Sequence, residues 1–165
     1  MTKQNTLSLS LKEVMPLIEE ALAAGEEVTL TVKGGSMDPF LVDCRDRVVL
    51  TAVNGRALHE GDVVMFRRAD GSCALHRIFR CHADGTYDIV GDNQAVCDER
   101  IPYEAIVAFV PRVIRKGKEI DCTKGMWRVA MVRYMHFRLN HTDFTWRMVR
   151  HARKIYAGVH KKENT

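Results

Sequence analysis

Residues 61–80, GDVVMFRRADGSCALHRIFR, decide how the rest of the chain reads. Two short runs, Asp62 to Arg67 and Cys73 to Cys81, flank Asp70-Gly71, a pair that tolerates positive φ at a hairpin tip. The stretch therefore predicts strand, tight turn, strand. Working outward, the same texture recurs in Val28 to Val32, Arg47 to Val53, Tyr87 to Val90 and Ala105 to Ile114, with Asn54-Gly55 and Asp84-Gly85 as further turn pairs. Six mostly antiparallel strands with short connections follow, folded as a compact barrel or sandwich.

Helical patterns flank this β region. Ser10-Leu-Lys-Glu13 matches a capping box, Leu11, Val14, Ile18 and Leu22 repeat at helical spacing, and Gly25 marks the end. Pro16 lacks a backbone donor, so the helix is expected to kink or begin there. Residues 126–159 return to helical composition, with a break at Asn140 to Asp143. The expected class is mainly β with flanking helices (α+β). The expected organisation is an N-terminal helix (1–26), a β domain (27–115) and a basic helical extension (116–165).

Composition bounds the function. Of the 165 residues, 46% are hydrophobic and 28% charged, as in a globular protein. A membrane-spanning helix needs about 20 predominantly apolar residues, and runs such as Ala105 to Val110 are far shorter. No basic segment followed by an apolar core opens the chain, so a cytoplasmic protein is expected. The net charge of +4 hides an asymmetry: residues 111–165 hold 14 Lys+Arg against 4 Asp+Glu, and residues 1–110 hold 11 against 17. Phe144 to Val159 on a helix separates Phe144, Met148, Val149, Ile155 and Tyr156 from Arg147, Arg150, Arg153 and Lys154. Such a segment suits docking on the protein's own sheet or peripheral contact with an anionic membrane. Nucleic acid is disfavoured as a partner, because the charge comes without a reading motif or aromatic platform. The five cysteines are irregularly spaced and read as free thiols. Cys73 and His76 form C-x-x-H, but positions three apart on a strand point to opposite faces, so neither metal nor cofactor is expected.

Chemistry concentrates in two further stretches. GGSMDPFL (34–41) sets Ser36 behind two glycines and ahead of Pro39, which reads as a sharp loop presenting a hydroxyl. GDNQAVCD (91–98) supplies Asp92 and Asp98. A two-residue turn at Asp84-Gly85 pairs Ala83 with Thr86, and that register carries His76 opposite Asn93, beside both carboxylates. A carboxylate accepting the Nδ1 proton would leave Nε2 free to take a proton from a serine. Singly, a Gly-Gly-Ser turn is an ordinary turn and a strand histidine is an ordinary core or surface residue. Arg77, on the other strand face, reads as solvated, and His59 and His82 as surface residues. Asp92 divides evenly between a turn-shaping and a supporting role.

Taken in order, GGSMDPFL, GDVVMFRRADGSCALHRIFR and GDNQAVCD resemble the boxes of the signal peptidase I clan, over roughly residues 28–110. The resemblance implies a β-rich serine endopeptidase whose nucleophile precedes a methionine, matched by Ser36-Met37. It implies His76 as general base, as in the endoplasmic-reticulum and spore-former branch, with Asp98 third and Asp92 supporting. It also implies backbone N–H groups of Ser36 and Met37 as oxyanion donors, no cofactor, and a peptide or precursor-protein substrate. Two features depart from the clan's pattern: Gly34 replaces a serine two residues before the nucleophile, and membrane anchors are missing. The clan's self-cleaving repressors use lysine and carry a helix-turn-helix domain, which this chain does not match. The alternative is an inactive peptidase fold that binds peptide, membrane or nucleic acid.

Overall fold

The computed structural model describes residues 11–140. The elements run α1 (Leu11–Ala23), β1 (Val28–Thr31), β2 (Asp46–Thr51), β3 (Val63–Arg67), β4 (Cys73–Cys81), β5 (Tyr87–Val90), β6 (Asp98–Ile101), a 3-10 turn (Tyr103–Ala105), β7 (Ile106–Arg115), β8 (Lys118–Asp121) and α2 (Gly125–Asn140). This is an α+β fold dominated by antiparallel sheet, as expected.

α1 forms because Met15, Ile18 and Leu22 recur on one stripe and are buried by the sheet. It runs unbroken through Pro16, whose ring lies on the exposed side. A Schellman motif ends it: Gly25 N–H donates to Leu22 O and Glu26 N–H to Ala21 O, with Gly25 at φ +81°. The Ser10 part of the capping box lies outside the described residues.

The sheet order is β1-β2-β7-β3-β4-β5-β6, with β8 added beside β7. The ten-residue β7 is its spine. It pairs with β2 along one side, and along the other with β3 at its start and β8 at its end. β1 and β6 end the order without pairing to each other, so the sheet is open and the closed-barrel version of the expectation does not hold. Both faces are covered. Val63 and Met65 join α1, Met37 and Leu41 on one side, while Val64 and Phe66 join Ile78, Ile89 and Phe109 on the other. Period-two alternation divides β3 between two cores.

Two strands escape the sequence pattern. β6 (DERI) and β8 (KEID) are too charged to read as strands, and each is made by pairing to a neighbour already in place. β8 hangs on a two-residue turn, Lys116-Gly117, with φ of 50° and 76° and Arg115 opposite Lys118. Asn54-Gly55 does turn with positive φ, but it closes no hairpin, because β7 separates β2 from β3. The Phe144 to Val159 amphipathic segment lies outside the described residues.

Candidate active site

The Ser36 loop is shaped by what precedes and follows it. Gly34 sits at φ +83° and its N–H donates to Asp43 Oδ1 at 3.0 Å. A side chain would be strained at that angle, which accounts for glycine two residues before Ser36. Beyond Ser36, the N–H groups of Phe40 and Leu41 both donate to Met37 O, and the buried Met37 and Leu41 side chains anchor this turn in the core. Ser36 itself is half-buried.

The loop is seated on the residues that follow β5. Asn93 N–H donates to Ser36 O at 2.8 Å, and Asn93 Nδ2 donates to Gly35 O at 2.8 Å. A Cβ at Gly91 would lie 2.7 Å from Ser36 O, so only glycine admits this approach. The register explains how β4 meets the same segment. Arg77 pairs with Val90, and continuing one step brings His76 beside Gly91 rather than Asn93. The expected pairing is off by two residues for two reasons. The turn holds three residues between His82 and Thr86, and β4 bulges between Ile78 and Arg80. Two single-residue shifts preserve parity, so the face on which His76 lies is unchanged.

Parity then decides which aspartate meets His76 and which meets Arg77. His76 pairs with Val64, Ile78 with Ile89, and Ile89 with Asp98, which puts His76 and Asp98 on the Phe66 face. His76 is 3% exposed, tilts against the Phe66 ring at 5.9 Å, and holds Nδ1 3.6 Å from Asp98 Oδ2. That is slightly too long for a hydrogen bond. Burial, followed by the nearby Arg68 charge, pushes the imidazole below the ordinary histidine range, against the pull of Asp98 and Asp92. His76 is thus neutral, and a proton acceptor, at neutral pH. Arg68 grips both oxygens of Asp98, at 2.6 and 2.8 Å, and holds its carboxyl below the usual range.

Arg77 and Asp92 occupy the opposite face. Arg77 is 3% exposed and Asp92 fully buried; two 2.8 Å hydrogen bonds join guanidinium to carboxylate, and a third runs from Arg77 to Gly61 O. Arg77 was expected in solvent. It is buried because both sheet faces are covered, so pointing away from His76 does not lead to water. Asp92 likewise serves Arg77 rather than His76. His59 is exposed as expected, whereas His82 is half-buried with Nε2 2.8 Å from Asp88 Oδ1.

Sequence reasoning missed the part played by α2. Arg138 is 2% exposed and donates to the carbonyls of Gly91 and Gln94. Arg128 bonds Asp62 and the Glu60 carbonyl, and Tyr134 meets Phe40 edge-on at 4.9 Å. One helix thereby touches the serine loop, the start of β3 and the Gly91–Gln94 segment. The signal was present in Met131, Met135 and Arg138, which recur at helical spacing and are buried, but a basic helix reads equally well as a solvated face.

His76 and Asp98 are therefore close together, and the Ser36 main chain is joined to the segment beside His76. Met37 acts as an anchor, and Asp92 belongs to a separate buried pair. No helix among the described residues is long and apolar enough to cross a membrane. A family model described as Peptidase S24-like matches residues 2–114. No curated protein matches the chain.

Proposed function

Because the chain belongs to the Peptidase S24-like family, we propose that it is a serine endopeptidase working through Ser36 and His76. The observation that carries this reading is the buried, neutral His76 beside Asp98, next to the segment on which the Ser36 loop is seated. In the mechanism, Ser36 Oγ attacks a peptide carbonyl and His76 Nε2 takes the hydroxyl proton. The tetrahedral oxyanion is held by the N–H groups of Ser36 and Met37. His76 then protonates the departing amine, and water releases the acyl-enzyme. Asp98 stabilises the imidazolium while it exists, and Asp92 supports the site indirectly, by fixing the Gly91–Asn93 segment through Arg77.

The finer assignment, to the Ser-His branch resembling signal peptidase I, rests on His76 in Leu75-His76-Arg77. It makes the substrate an extended peptide, such as the leader segment of a precursor, paired to a strand edge. A second reading, a binding module without turnover, is favoured by Gly34, which offers no hydroxyl to an oxyanion, and by the unbonded His76 Nδ1. Incubating the purified protein with candidate precursor peptides, and identifying fragments by mass spectrometry, separates the two. The peptidase reading requires cleavage that Ser36→Ala and His76→Ala each abolish while the variants stay folded. Cleavage that survives either substitution overturns it, and binding without cleavage supports the module.

A further inference from the structure

We propose that Arg68 is a positioning residue of this site: its guanidinium fixes the Asp98 carboxylate beside His76 and sets the charge that the imidazole faces. The inference rests on the peptidase reading and extends it to a residue outside the three. Arg68 leaves the end of β3 with the same parity as Val64 and Phe66, so it projects to the His76 face. Its guanidinium carbon stands 5.4 Å from the centre of the Phe66 ring, the ring against which His76 tilts. From there it takes both oxygens of Asp98, a forked geometry that a lysine cannot copy.

Asp98 consequently has two nitrogen-bearing neighbours, one charged and one neutral at rest. Arg68 holds it at hydrogen-bond distance, and His76 Nδ1 waits at 3.6 Å. The charged groups around the imidazole are Asp98 from β6, Arg68 from the β3–β4 turn, and Asp92 beyond β5, itself neutralised by Arg77. With Arg68 in place, the carboxylate is partly compensated and the resting imidazole stays uncharged. When His76 becomes an imidazolium during turnover, a small rotation of Asp98 closes the remaining gap. Arg68 also lines an open groove of about 990 Å³ with Leu22, Arg67, Arg100 and Tyr103, so an occupant of that groove touches the residue that holds Asp98.

The test is a proton titration of His76 by NMR on the full isotope-labelled chain, with its signal assigned by loss in His76→Gln. Arg68→Met is expected to move the titration of His76 to higher pH, Asp98→Asn to lower pH, and Arg68→Lys to an intermediate position. The acidic limb of kcat/KM should follow the same order. A His76 titration unmoved or lowered by Arg68→Met overturns the proposal and leaves Arg68 a structural residue. Should Arg68→Met fail to fold, Arg68→Gln carries the same expectation and the same condition for failure. Because the titration needs no turnover, a wild-type protein that cleaves nothing would end the peptidase reading separately.

Discussion

Two arginine–aspartate pairs lie back to back across β4, and they use the same two-pronged geometry for different ends. Arg77–Asp92 is sealed, with side chains 3% and 1% exposed. Arg68–Asp98 is half open, at 31% and 21%, and has an imidazole at its edge. Once sealed, a pair can do little but hold its segments together, since losing either partner strands a charge in the core. An open pair costs little to break and can lend its carboxylate to a neighbour. Burial, rather than residue type, separates a structural clasp from a tunable one.

The sharpest way to break this contrast is Arg77→Met, which leaves Asp92 buried without its cation. It should cost about 3–5 kcal/mol in urea denaturation, and Arg77→Met with Asp92→Leu should recover much of that. A loss under 1 kcal/mol would place both pairs in the same class. Next in size, Arg138→Met removes a buried charged donor from the Gly91 and Gln94 carbonyls and should cost about 1.5–3 kcal/mol, with cleavage falling because the Ser36 seat loosens. Gly91→Ala drives a methyl into Ser36 O and should cost about 1–3 kcal/mol while moving the serine. If that variant cleaves normally, the seat on Asn93 does not govern the hydroxyl.

The smallest stability effect belongs to the open pair: Arg68→Met should change stability by only about 0–1 kcal/mol while shifting the pH profile. That profile has a definite sign. The folded His76 titrates below the ordinary histidine range, so its basic form, and with it activity, persists to lower pH than an exposed histidine would allow. An acidic limb at or above about 6.5 would contradict the buried setting of His76.

Asp46 supplies a second titration in which His76 takes no part. Burial alone would raise its carboxyl, but hydrogen bonds from Arg45 and Arg115 outweigh that and hold it at about 2, against 3.8 when unfolded. Its contribution is therefore fully present above pH 3.8 and is lost as pH falls through about 2. Asp46→Asn should flatten acid denaturation in that window, as followed by circular dichroism.

Much of the β region was legible because it depends on local chemistry. Asp70-Gly71 and Asp84-Gly85 both close hairpins, and the helix signature of Leu11 to Gly25 ends in the capping geometry its glycine implies. β6 and β8 were illegible because charged residues form strands only where a partner edge waits. Within the site, the closeness of His76 and Asp98 was legible from the ordered boxes, and the strand face of His76 survived a register error because the two slips added to an even number. Arg77 did not follow, since alternation predicts faces and says nothing about what covers them.

The chain alone determined the strand-turn texture, the glycines that let the Ser36 loop bend and approach Gly91, and the opposite strand faces of His76 and Arg77, because these depend on φ, ψ and the two-residue period. Tertiary structure decided which faces were dry. It brought Asp92 to Arg77 and Asp98 to Arg68, and it laid α2 across three separated segments. Those outcomes depend on burial and on the meeting of groups distant in sequence, and no local pattern encodes either.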